Sequence, residues 1–275
     1  MSIQAKIVRT QSPRAPPARS CYARIDPSIR IRRAIYANDV LLVKRILKSH
    51  PHLLHNPDVS HTGLSNSNLH LSASLGHLSI CQFLVEAGHE QTGPALNENH
   101  ETALMLAARA GHIEVVHYLC QADPSWILRR DVHGRDAMME ASRGGHDTVV
   151  QILLTYVPGG PGQAVRRADH EGNTALHFAS SNGHLLVLRT LLAAGADADY
   201  ENIWRWTPVA YSASVQAEVY LKGLIAQTKT QAPVRKTKSN MSKEAMKGPQ
   251  TGGVSGLRLV QEEDDTDDWV SRNIP

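Results

Sequence analysis

A histidine followed by a glutamate occurs twice, at His100-Glu101 and His170-Glu171. On a helix such a pair can open a zinc-hydrolase site, where a second histidine four positions after the first completes the ligands and the glutamate activates water. Leu104 and Thr174 occupy those positions here, so neither pair can hold zinc in that way. His50, His52, His55 and His61 form a denser group. No cysteine lies near it, and Pro51-His-Leu-Leu-His55 reads as the end of a helical pair rather than a metal loop. Gly159-Gly160 and Gly252-Gly253 lack the strand and helix that a phosphate-cradling loop requires. Cys21, Cys81 and Cys120 have no metal-ligand spacing. Cys81 and Cys120 fall in apolar runs and read as reduced core thiols of a cytosolic or nuclear protein. Crowded carboxylates occur only over 262–268, where nothing holds them in place. The reading is therefore of a non-enzyme with no catalytic residue, metal, cofactor or small-molecule substrate.

What positions the side chains of this chain is a repeated phrase. Glu101-Thr-Ala-Leu-Met-Leu-Ala-Ala-Arg-Ala-Gly-His112 and Asn173-Thr-Ala-Leu-His-Phe-Ala-Ser-Ser-Asn-Gly-His184 are two copies, and weaker copies run from Ser67 to His77 and from Asp136 to His146. The Gly-His pairs begin at 76, 111, 145 and 183, at intervals of 35, 34 and 38 residues. Ser67, Thr102, Asp136 and Thr174 stand where a first helix begins, and each can accept its orphan N–H groups. Leu104 and Leu176 start a buried face, and the small pairs Ala107-Ala108 and Ala179-Ser180 let neighbouring helices approach. Gly111, Gly145 and Gly183 can adopt the left-handed conformation that ends a helix. Apolar residues at helical spacing in 113–119, 148–154 and 185–192 predict a second helix in each copy.

A period of about 33 residues with this wording resembles ankyrin repeats. The resemblance implies an all-α solenoid of about four full repeats, each with two helices and an outward hairpin loop. Residues 26–58 keep the two-helix rhythm with a charged opening and read as an N-terminal capping repeat. Trp206-Thr-Pro-Val-Ala-Tyr211 restarts the phrase but no Gly-His follows, so 202–227 read as a degenerate C-terminal cap. Pro158-Gly-Gly-Pro-Gly162 predicts a longer, flexible surface loop between repeats. In such repeats His70 and His177 hydrogen-bond to the turn of a neighbouring repeat. Met105 and Met139 stand at that place in the two central repeats, which should make them less rigid than an ideal array.

The repeat domain over 26–227 is expected to lie between disordered tails, 1–25 and 228–275. The first holds five basic residues and no acidic one, and Pro13, Pro16 and Pro17 speak against an amphipathic targeting helix. The second is basic over 229–247 and then acidic in Glu262-Glu-Asp-Asp-Thr-Asp-Asp268, with Trp269 as its one candidate anchor. No apolar run approaches a membrane span, and no secretory signal is legible.

Residues on hairpin tips and on the open side of the first helices are not needed by the core, so they are free to meet partners. Arg130, Arg135, Arg166 and Arg167 lie in hairpin regions, while Arg109 and Arg143 hold matching places just before their Gly-His. With Trp204 and Trp206 these form the candidate partner-binding set. The arginine fork suits carboxylate or phosphate, and the two tryptophans supply anchors. Ordinary solvated loops would have a similar composition. Interleaved Asp131, Asp136, Asp169 and Glu171, with a net charge of only +3, argue against direct nucleic-acid contact.

The cap wording is more specific. Pro27-Ser-Ile-Arg-Ile-Arg-Arg-Ala-Ile35, Asn38-Asp39-Val40, Pro51-His-Leu-Leu54 and Asn56-Pro-Asp58, with Ile80-Cys-Gln-Phe-Leu-Val-Glu-Ala-Gly-His89 after them, resemble the ankyrin-repeat subunit of fungal TOR complex 2. That resemblance implies a cytoplasmic, non-catalytic adaptor that scaffold subunits of a growth-signalling kinase assembly hold, reaching the plasma membrane only through them. The alternative is a chaperone for a basic client such as a ribosomal protein, with 262–268 imitating RNA.

Overall fold

The computed structural model describes residues 25–228 apart from 59, 61 and 62. The arm over 1–24, the acidic run and Trp269 lie outside the described residues. Helices pair along the chain. In the cap these are α1 (Pro27–Tyr36) and α2 (Val40–Ser49), followed by a 3-10 turn at Pro51–Leu53. The four repeats follow as α3 (Asn68–Ser74) with α4 (Leu78–Glu86), α5 (Ala103–Ala110) with α6 (Ile113–Ala122), α7 (Ala137–Gly144) with α8 (Asp147–Tyr156), and α10 (Ala175–Ser181) with α11 (Leu185–Ala193). A single helical turn, α9 (Pro161–Ala164), precedes α10, and α12 covers 215–228. Among the described residues there is no strand, only one isolated bridge between Ala168 and Thr174.

Each first helix starts where a short polar side chain can cap it. Thr102 Oγ1 accepts from Met105 N at 3.3 Å and Asp136 Oδ1 from Met139 N at 3.0 Å. Ser67 and Thr174 go further: the imidazole three residues on bonds back to the cap residue, which completes a capping box. The first helices α3, α5, α7 and α10 pack in file. Ser72-Ala73, Ala107-Ala108, Ala141-Ser142 and Ala179-Ser180 are buried along that file, and their small size sets the close spacing. The second helices turn Ile80-Cys81-Leu84, Val115-Val116-Leu119, Val149-Val150-Leu153 and Val187-Leu188-Leu191 into the same continuous core. Each fully buried Leu or Ile there contributes about 2 kcal/mol.

The recurrent Gly-His has a physical cause. Gly145 is left-handed (φ 79°), and a β-carbon on it would stand 2.6 Å from Nδ1 of His184 in the next repeat. The bare backbone lets that ring lie flat, and its Nε2 reaches the Arg143 carbonyl at 3.1 Å. His112 reaches Ser74 O at 2.9 Å and His146 reaches Arg109 O at 3.0 Å in the same way. The ladder ends at both termini. Among the described residues the Nε2 of His77 has no partner, and a β-carbon on Gly183 would meet nothing within 4 Å.

Two regions depart from the sequence reading. The 158–162 insertion does not remain a loop throughout: Pro161 starts α9, which buries Ala164 and delivers buried Val165 to the core. In the C-terminal cap the first helix shrinks to a turn over 208–211 before α12. Ser212 Oγ meets Ser180 Oγ at 2.9 Å and Ala213 N donates to Ser180 O at 3.1 Å, so this short turn still closes the file of first helices.

Candidate partner-binding face

Four hairpins between repeats share one local design. An Asn or Asp at the first position uses its side-chain oxygen to accept two backbone N–H groups, two and four residues later. Asn97 accepts from Asn99 and Glu101, Asp131 from His133 and Arg135, Asp169 from Glu171 and Asn173, and Asn202 from Trp204 and Trp206, all between 2.7 and 3.0 Å. Such Asx turns fold each tip locally. The tips then bond to one another: Val132 N to Asn99 O and His170 N to His133 O at 3.0 Å, and Ile203 N to Glu171 O at 3.1 Å. The result is a continuous edge of hairpins beside the file of first helices.

The candidate arginines divide into two sets on this face. Arg109 Nε donates to Glu140 Oε2 at 2.7 Å, and its other arm contacts Glu101. Arg135 pairs with Asp131 at 2.8 Å and Glu140 at 3.1 Å. Arg167 reaches Asp136 Oδ2 at 3.0 Å and Leu128 O at 2.7 Å. Glu140 and Asp131 side chains are only 1% exposed, so these pairs sit at the boundary of the core. Burial of Glu101 works to raise its pKa, yet the Asn97 amide and the Arg109 guanidinium outweigh it and hold the carboxyl below its ordinary value. Arg130, Arg143 and Arg166 instead face solvent. The carboxylate partners were visible in the sequence only as interleaved acids. Nothing local marks Glu140, which lies 31 residues from Arg109.

The C-terminal end of the face is aromatic. Trp204 and Trp206 remain 47% and 54% exposed. Trp206 packs edge-on against Tyr211 with centroids 5.4 Å apart, and its backbone oxygen accepts from His177 Nε2 at 3.1 Å. His70 makes the equivalent bond to Glu101 O at 2.9 Å. Met105 and Met139 are buried at the matching positions. The histidines are thus structural. Burial lowers the pKa of both His70 and His177, against the opposing pull of the carbonyls they bond. Burial also pushes the Cys81 and Cys120 thiols up to about 11 and about 12, which keeps them protonated and unreactive. Among the described residues no group of His, Cys, Asp or Glu could hold a metal ion, and no helix is long and apolar enough to cross a membrane.

Paired helices, capped in register and joined by hairpins that bond tip to tip, define a helical-repeat solenoid. The family described as "Ankyrin repeats (3 copies)" matches residues 31–127 and 125–202, and the chain belongs to it. The crystal structure of EF0377, an ankyrin repeat protein, superposes with a TM-score of 0.60 over 72% of this chain and 96% of its own, at 20% identity. The target of rapamycin complex 2 subunit AVO2 of Saccharomyces cerevisiae is 28% identical over 211 residues, 76% of this chain. The E3 ubiquitin-protein ligase XBAT32 of Arabidopsis thaliana is 33% identical over 190 residues, 61% of this chain. This chain spans 48% of the length of the yeast protein and 36% of the plant one. Ankyrin repeats are protein-interaction modules, and that is the function the family assigns at this level.

Proposed function

We propose that the chain is an adaptor subunit of a TOR complex 2-like kinase assembly, held in the cytoplasm and brought to the plasma membrane through its partners. The observation that carries this reading is the 211-residue match to a yeast subunit of that complex. It covers 76% of this chain, more than the stretch that the repeat family matches. The hairpin edge and first-helix side would be the docking face. Arg130, Arg143, Arg166, Trp204 and Trp206 are its contact groups, and Arg109, Arg135 and Arg167 hold its shape. Exposed arginine and tryptophan are the residues most able to concentrate binding energy in a few places.

Native affinity purification of the tagged full-length chain, followed by mass spectrometry, tests the proposal. Recovery of a TOR-type kinase with its scaffold subunits is expected, and a Trp204→Ala/Trp206→Ala variant should lose them. Recovery of a single basic protein, or of no kinase subunit, would overturn it in favour of an escort role or another ankyrin adaptor.

A further inference from the structure

A terminal repeat protects the core with a polar outer face, and the N-terminal cap does more than that. Ile29, Tyr36 and Leu41 are 49%, 63% and 75% exposed on it. Its acids are already used. Asp26 and Asp39 accept the Ser28 and Leu42 N–H groups at the starts of α1 and α2, and Asp58 holds Arg32. Arg30, Arg33, Lys44, Arg45 and Lys48 are exposed, and none has an ion-pair partner among the described residues. Between α2 and α4 lies an open groove of about 440 Å³. Leu47, Leu54 and Phe83 line it with Lys44 and Lys48, and the Lys44 ammonium sits 5.2 Å from the centre of the Phe83 ring.

We infer that this groove docks an acidic amphipathic segment of another protein. The segment's apolar side chains would cover Leu47, Leu54 and Phe83 while its carboxylates meet Lys44 and Lys48. Charge complementarity selects an acidic occupant, since the charged side chains that line the groove are Lys44 and Lys48 and no carboxylate stands among its lining residues. The arrangement also favours a peptide over a bilayer. Within the groove the lysines are exposed while Leu47 is buried and Leu54 and Phe83 are half-buried, whereas a surface that enters a membrane presents its apolar residues outermost. The groove is built from the second helices of the cap and first repeat, so it is separate from the hairpin face, and the inference does not rest on the kinase assignment.

The test is selection of a random-peptide display library on the full-length chain, with affinities of the recovered peptides measured by fluorescence polarisation. Recovered peptides should combine Asp or Glu with Leu, Phe or Trp. Lys44→Glu/Lys48→Glu should weaken them about tenfold or more. Lys44→Arg/Lys48→Arg should bind them nearly as well, and Trp204→Ala/Trp206→Ala should leave them unchanged. The charge-reversed side chains are solvent-exposed, and circular dichroism checks that the fold is retained. The inference is overturned by recovery of no peptide, by peptides without acids, or by equal affinity for the charge-reversed variant. It is also overturned if phosphatidylserine-rich vesicles bind through Lys44 and Lys48 while acidic peptides do not.

Discussion

In the repeats that open at Ser67 and Thr174, an imidazole spans from its own helix cap to the carbonyl of the next hairpin. In the two repeats between them a buried thioether takes that place, and the neighbouring hairpins are tied instead by Arg109, Arg135 and Arg167 to Glu101, Asp131, Asp136 and Glu140. The joint is the same and the chemistry differs. A neutral hydrogen bond has a net worth of about 1 kcal/mol, while one to a charged group is worth about 1.5–3 kcal/mol. Loss of the histidine therefore need not loosen the central repeats. Within the ionic centre Glu101 should keep its charge in more acid conditions than the imidazole joints tolerate, while burial pushes Asp136 the other way; Arg109 and Arg135 share the Glu140 carboxylate.

The largest effect should come from that carboxylate. From a buried position Glu140 accepts a hydrogen bond from Arg109 on Oε2 and stands 3.1 Å from Arg135 on Oε1, an ion-pair contact without a hydrogen bond; removing one member of a buried pair costs more than the pair was worth. Glu140→Ala should lower the unfolding free energy by about 3 kcal/mol, and Glu140→Gln, which keeps the shape, by about 2 kcal/mol. Urea denaturation followed by circular dichroism measures both. A loss under half a kilocalorie for Glu140→Ala would show that Arg109 and Arg135 are adequately held by Glu101 and Asp131 alone.

The contrast in pH response comes next. Burial lowers the pKa of His70 and His177 from the ordinary 6.5. Below that pH the unfolded chain takes up protons that the folded chain refuses, so stability rises with pH there and is lost as pH falls through the folded values. Glu101 has a lowered pKa too, but from an ordinary value of 4.5, so its contribution survives until more acid conditions. Between pH 7 and 5 the imidazole-tied repeats should loosen first. Hydrogen exchange at α3 and α10 should quicken while α5 and α7 stay protected. Equal loss of protection in all four helices would remove the distinction.

How much of this was legible in the sequence depended on the distance over which each cause acts. Ser67, Thr102, Asp136 and Thr174 cap helices that begin at the next residue, so composition and register disclosed them. The Gly-His ladder announced itself by period, though its reason lies one repeat away, where His184 covers Gly145. The arginines read from sequence as one candidate partner-binding set, and composition alone cannot divide them. Arg135 is held by Asp131 in its own hairpin, whereas Arg109 and Arg167 find carboxylates 31 residues away. The α9 turn was hidden for a different reason: Pro158-Gly-Gly-Pro-Gly162 has loop composition, and what accompanies the turn is burial of Ala164 and Val165 with α9 packed on α8.

The smallest effect would be the most specific. Met105 stands where His70 and His177 stand, behind a threonine cap like that of Thr174. The Arg135 carbonyl, the counterpart of Glu101 O and Trp206 O, accepts only from Asp131 N among the described backbone bonds. Met105→His therefore has both of its partners in place, Thr102 behind it and a free lone pair ahead. It should raise the unfolding free energy by about 0.5–1 kcal/mol at pH 7.5. The gain should vanish towards pH 5, because a buried imidazole that must stay neutral carries the same penalty in acid as its two natural counterparts. Thermal denaturation at the two pH values measures it. A variant that is destabilised at both would mean that the arginine network has moved the second hairpin out of reach, so the two kinds of joint exclude one another. A variant that gains at pH 7.5 alone would mean that they can be combined.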